Sequence, residues 1–169
     1  MAQKEYYLIL PLLLYGLGIT DLVNSWRSFL KPDQRYLPYT LTSLLLLDTA
    51  FWNFFQLYDW IQEDHFRNYL TYMRILAAPL LFLLVVAVFT PEEGTASVKE
   101  YFHQQLRTVS LLLALFIFVH FLLDPDEFVW QRLGAIALLL TTATFRKVWL
   151  IYLLLGFRIL TLAINQGLN

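Results

Sequence analysis

Apolar residues run through this chain in long blocks, each about as long as a lipid bilayer is thick. A helix rising about 1.5 Å per residue needs about 20 mostly apolar residues to cross a hydrocarbon core of about 30 Å. Blocks that meet or approach that length occupy residues 6–26, 39–61, 68–90, 106–123, 128–145 and 148–164. Charge and proline punctuate them: Arg27, Lys31, Pro32 and Asp33 close the first, Gln62, Glu63, Asp64 and His65 the second, and Pro91, Glu92, Glu93 and Gly94 the third. Asp124, Pro125, Asp126 and Glu127 close the fourth, and Arg146 and Lys147 separate the fifth from the sixth. Pro79 falls inside the third block, where neighbouring helices can satisfy the carbonyl it frees, so a kink is expected and a break is not. Residues 95–105 mix Val98, Tyr101 and Phe102 with Lys99, Glu100 and Gln104, too polar a stretch to span. The fifth block opens on Gln131 and Arg132 and is expected to be short or tilted. The pattern predicts an all-α integral membrane bundle of about six transmembrane helices, one domain over 1–169, with a short interfacial helix before the fourth.

Composition points the same way. The 169 residues are 59% hydrophobic and 15% charged, against roughly 45–50% and about 25% in soluble domains, and the mean hydropathy is +0.56. A soluble domain of this size still leaves about a third of its unfolded surface in water, so the surplus would form an aggregation-prone coat. Net charge is −1 with no Lys/Arg cluster, which argues against a nucleic-acid partner. The absence of cysteine removes disulfides, thiolate metal sites and Cys nucleophiles together. Lys4 precedes the first block, but no small-x-small cleavage site follows it, so the block is expected to be a retained helix.

Lys/Arg asymmetry predicts orientation. The connections after the first, third and fifth spans carry Arg27, Lys31, Arg35, Lys99, Arg107, Arg146 and Lys147, whereas the other side carries Lys4, Arg67 and Arg132. Both termini are therefore expected outside, and Trp26, Trp60, Trp130 and Trp149 fall near span ends, where indole prefers the headgroup layer.

Gly16-Leu-Gly18-Ile-Thr-Asp21-Leu-Val-Asn-Ser25, then a basic turn, Tyr36-Leu-Pro38 and an aromatic-rich second helix, form a recognisable order of features. In these the chain resembles a group of small polytopic bacterial inner-membrane proteins of unassigned function. The resemblance covers roughly the first 110 residues. It implies a helical membrane fold in a bacterial inner membrane, where termini placed outside by the charge asymmetry would be periplasmic, and no activity.

Ionisable groups inside a span are costly and usually face the bundle interior, which makes them candidates for function. Here they are Asp21, Asp48, Arg74, His120 and Arg158. At helical spacing Asp21 shares a face with Asn24 and Ser28, Asp48 with Trp52, Gln56 and Asp59, and Arg158 with Thr161 and Asn165. Polar stripes on three helices of one small bundle are expected to meet. They would form either a hydrated or proton-relaying path, gated by Asp48 and Arg158 with Asp21 at its inner mouth, or ion pairs that only hold register. In the second case Arg74 pairs with Asp59 or Asp64. His120, beside Phe118 and Phe121, reads as a hydrogen-bonded interfacial residue, because haem or metal sites need partners and His65 and His103 sit on opposite sides. No cofactor or metal is expected. Phe51, Trp52, Phe54 and Phe55 read as packing residues in preference to a platform for a pigment, quinone or lipid.

Missing motifs narrow the classes further. There is no mid-span Lys for a retinal Schiff base, no Arg at every third position, and no G-x-S-x-G, H-E-x-x-H or phosphate-binding glycine loop. An enzyme is the least supported class. The expectation is a homo-oligomeric channel or small transporter for ions, protons or a small solute, its partners being the lipid bilayer and copies of itself. The alternatives are a non-catalytic subunit of a larger membrane complex and, more weakly, a lipid- or pigment-binding protein.

Overall fold

Each apolar block folds as a helix in the computed structural model: α1 (Gln3–Leu30), α2 (Leu37–Gln62), α3 (Tyr69–Phe89), α4 (Val98–Leu123), α5 (Val129–Phe145) and α6 (Trp149–Gly167). The structure describes the backbone over residues 3–31, 34–62, 69–92, 94–123 and 128–167, and side chains over the same ranges apart from 3–6, 28–30, 58–62 and 165–167. Pro32, Asp33, Glu63, Asp64, His65, Arg67, Glu93, Asp124, Pro125, Asp126 and Glu127, and the side chains of Lys4, Ser28, Asp59, Trp60 and Asn165, lie outside the described residues.

Among the described residues the chain is all-helical, and three stretches are long and apolar enough to cross a membrane: Tyr7–Arg27, Tyr69–Phe89 and Val98–Leu123. α5 and the apolar part of α6 are shorter. α2 has the length, at 26 residues, but Asp48, Asn53 and Gln56 interrupt its apolar run. Large apolar side chains such as Phe55, Leu70, Leu122 and Ile159 are exposed. That distribution suits lipid and would be unstable in water.

The helices form a ring. α1 packs between α2 and α3, α3 on α4, α4 on α5 and α5 on α6, and α6 closes on α2; α2 also touches α4 across the middle. This contact divides the bundle into halves. The half made by α1–α4 is tightly packed: Phe82 is fully buried against Tyr15 and Phe116, and the interstice lined by Tyr15, Asn53, Ile75 and Pro79 has no room for water. The half made by α2, α4, α5 and α6 holds a cavity.

The segment 95–105 differs from expectation. α4 starts at Val98 and continues unbroken, so this stretch supplies the first turns of the long helix and no separate interfacial helix forms. Val98, Phe102, Leu106 and Val109 recur at helical spacing and are all buried, which directs Lys99, Glu100, His103 and Gln104 outward. Ser97 begins the helix by accepting the Glu100 N–H on its Oγ at 3.3 Å.

Many hydroxyls on the helices are satisfied locally. Thr42, Thr49, Thr141, Thr142 and Thr144 each donate to the carbonyl four residues back, which is how hydroxyls are tolerated where water is absent. At the basic end Tyr39 stacks on Phe89 at 4.5 Å and donates to Ser25 Oγ at 3.0 Å. Trp26 Nε1 donates to Ser43 Oγ at 2.8 Å, and Tyr101 donates to the Val88 carbonyl at 2.8 Å. These contacts tie together the ends of α1 to α4. Both Pro79 and Pro11 lie within continuous helices, so neither breaks its span.

Candidate functional site

The cavity follows from helical spacing. On α2, Leu45, Thr49, Trp52, Asn53 and Gln56 fall on one face, and Leu113, Phe116, Ile117 and His120 do so on α4. Phe128, just before α5, lines it together with Gln131, Arg132, Ala135 and Leu139 of α5, and α6 contributes Leu154, Phe157, Arg158 and Thr161. These faces enclose a half-open volume of about 170 Å³. Phe157 has its place because position 134 is glycine: a Cβ there would lie 2.7 Å from the Phe157 Cζ. Phe128 sits in the left-handed region at φ 52, just before α5, a conformation that costs an L-residue roughly 1–2 kcal/mol. Its ring meets Trp52 edge-on at 6.3 Å.

A charge-assisted contact joins α2 to α6. Arg158 Nε donates to Asp48 Oδ2 at 2.7 Å. The pair lies at a seam, with the Arg158 side chain 26% and the Asp48 side chain 42% accessible. Trp52 flanks it, its ring centroid 5.3 Å from the guanidinium carbon, a distance at which the π face attracts a cation. Arg158 Nη2 is buried and has no hydrogen-bond partner among the described residues. Opposite, Arg132 Nη1 donates to the His120 carbonyl at 3.3 Å. His120 Nδ1 lies 3.0 Å from the Phe116 carbonyl; a carbonyl only accepts, so Nδ1 carries the hydrogen and a neutral ring keeps Nε2 as an acceptor.

Two of the three expected stripes meet. Gln56, His120 and Arg158 line the cavity, and Asp48 is bonded to Arg158. The α1 stripe does not join them: Asp21 and Asn24 are exposed on the outer surface of α1, away from α2 and α3. The face that packs on α3 carries Tyr15, Gly18 and Leu22 instead. Arg74 is likewise exposed on α3. Thr49, Asn53, Gln131 and Arg132 also line the cavity, although a search for ionisable groups inside spans passes over them; Asn53 lies three residues before Gln56, on the same face of α2. In the sequence Gln131 and Arg132 mark a span boundary, and only the fold turns them toward the cavity. Among the described residues no three His, Cys, Asp or Glu come together as a metal site would need.

Helices clothed in apolar residues around a partly polar cavity define an all-helical, membrane-embedded protein. No protein-family model, no curated protein and no solved structure matches the chain.

Proposed function

We propose that all six helices span a bacterial inner membrane with both termini outside, and that the cavity is the solute site of a small transporter. The observation that carries this reading is the Asp48–Arg158 pair beside a cavity large enough for a small molecule. An intramembrane ion pair that both faces a cavity and lies at a helix seam can change partners when the seam opens. Basic turns at Arg35, Lys99, Arg146 and Lys147 support the orientation. Arg158→Gln and Asp48→Asn in proteoliposomes are expected to slow solute or proton flux about tenfold or more, equivalent to roughly 1.4 kcal/mol of barrier. Tight vesicles showing no flux over a panel of ions, small solutes and pH gradients would rule transport out.

A second reading, as a subunit of an assembly, is favoured by the exposed Asp21 and Asn24. A carboxylate facing lipid costs about 2.5–3.5 kcal/mol at a helix centre and less toward an end, where Asp21 lies, and a neighbouring chain removes that cost. The natural lack of cysteine makes the test simple. Thr20→Cys, on the same surface, is expected to give a disulfide-linked dimer in oxidised membranes if the neighbour is a second copy. A monomeric band at every protein density counts against self-assembly.

A further inference from the structure

On each helix around the cavity, the lining residue nearest the basic end is a leucine: Leu45, Leu113, Leu139 and Leu154. Chain geometry puts the four at one depth. α4 and α5 run antiparallel, tied at their shared end by the Arg132 bond to the His120 carbonyl. Leu113 lies ten residues before the end of α4, and Leu139 ten after the start of α5. Across the next turn, Leu139 stands six residues from the end of α5 and Leu154 five from the start of α6. Leu45 and Leu154 are levelled by the ion pair one turn beyond them, Asp48 on α2 and Arg158 on α6. Leu113, Leu139 and Leu154 are buried and Leu45 is half-buried. Behind this layer comes a second of different chemistry. Thr42, Ser110 and Thr142 each lie three residues, about 4.5 Å, further from the cavity than the leucine of their own helix, and all three are buried. Seven residues separate Thr42 from Thr49, Ser110 from Ile117 and Thr142 from Ala135, so each hydroxyl shares the face of a cavity-lining residue. Seven residues further along α4 the same face carries His103, whose Nε2 lies 3.0 Å from the Tyr36 hydroxyl at the basic end.

We infer that the transport path runs on from the cavity along these stripes, through the four leucines as its gate, past the three hydroxyls and out beside Tyr36 and His103. The inference rests on the transport reading and locates its barrier. Leucine side chains from four sides close the axis to water, as hydrophobic constrictions that gate by dewetting do. Thr42 and Thr142 donate to carbonyls four residues back, which leaves their oxygens as acceptors for whatever crosses. The ion pair is the latch. Asp48 and Arg158 lie one turn from Leu45 and Leu154, so their bond at 2.7 Å holds two of the four leucines in the layer, and parting it withdraws both.

The test reads access to single cysteines, which the natural sequence lacks. The full chain is placed in proteoliposomes and a charged, membrane-impermeant methanethiosulfonate is added to one side or the other. Thr49→Cys, on the cavity side of the layer, is expected to be modified from the end that carries the α4–α5 turn. Ser110→Cys, behind the layer, is expected to react from that end at least about tenfold more slowly. Leu139→Ala opens one side of the gate and is expected to raise the Ser110→Cys rate from that end about tenfold, with the rate from the basic end unchanged. Leu45→Ala, at the half-buried member, is expected to do the same with less disturbance of packing, and thermal unfolding confirms that the variants are folded. Asp48→Asn weakens the latch, leaves the leucines in place and is expected to raise the rate as well. Equal rates for Thr49→Cys and Ser110→Cys behind intact leucines overturn the inference, as does no modification of Thr49→Cys from the turn end. Acceleration from both ends alike shows a loosened bundle and overturns it too. If flux persists while Ser110→Cys stays protected in both alanine variants, this inference falls and transport stands; if those variants open access but the intact chain moves no solute, the barrier stands and transport falls.

Discussion

Asp48→Leu is expected to destabilise the protein by on the order of 2–4 kcal/mol, somewhat below the 3–5 kcal/mol found when one partner of a fully buried pair is removed, because both side chains are partly accessible. The physical reason is asymmetric. Removing Asp48 strands the more buried partner, a guanidinium that cannot shed its proton, beside Trp52 and an already unsatisfied Nη2. Arg158→Leu leaves the more accessible carboxylate, which can neutralise itself by taking a proton, so its cost is expected to be smaller. The double replacement by leucine should recover most of the loss, since two apolar side chains suit the seam as well as an ion pair does. Thermal or denaturant unfolding of the four proteins in one detergent measures the coupling. Losses that simply add would show that the two residues do not act as a pair.

The second large effect is expected at Gly18. A Cβ there would lie 2.7 Å from Phe82 Cε1 and 3.0 Å from Cδ1. Phe82 cannot yield easily, being fully buried between Tyr15 and Phe116 at the centre of the tight half. Gly18→Ala therefore has to push α1 away from α3 or rotate a packed ring, at about 1–3 kcal/mol, and Gly18→Leu is expected to prevent stable folding. Gly16 is the built-in control. Nothing lies within 4 Å of its Cβ position, so Gly16→Ala should be neutral or stabilising by about 0.5–1 kcal/mol through helix propensity. If the two alanine variants unfolded at the same temperature, close α1–α3 contact at Gly18 would be refuted.

The contrast between those glycines shows what the sequence concealed. Gly16 and Gly18 stand two positions apart in one apolar run and look alike there, yet they point about 200° apart around the helix. Asp21, three residues beyond Gly18, shows the same limit. The rule that charges avoid lipid places it inside the bundle, but the packed face of α1 is fixed by Tyr15, Gly18 and Leu22, which leaves Asp21 and Asn24 outward. Hydrophobic arithmetic has no access to that rotation, because the mean over a fully apolar turn is the same whichever side is buried.

By itself the sequence determined the six helices, their order and about two thirds of their ends to within two residues, since these depend on block length and on proline and charge at the ends, which are local properties. It also named Asp48 and Arg158 as candidate partners, because two charges of opposite sign in a low-dielectric medium are driven together. Tertiary structure decided the rest. It merged the segment after Gly94 into α4 through the buried spacing of Val98, Phe102 and Leu106. It turned Gln131 and Arg132 from boundary markers into cavity walls, and it left α1's polar stripe outside. Each of these depends on which helices become neighbours in the ring and on how each is rotated about its axis, and both are set by shape complementarity between side chains far apart in the chain.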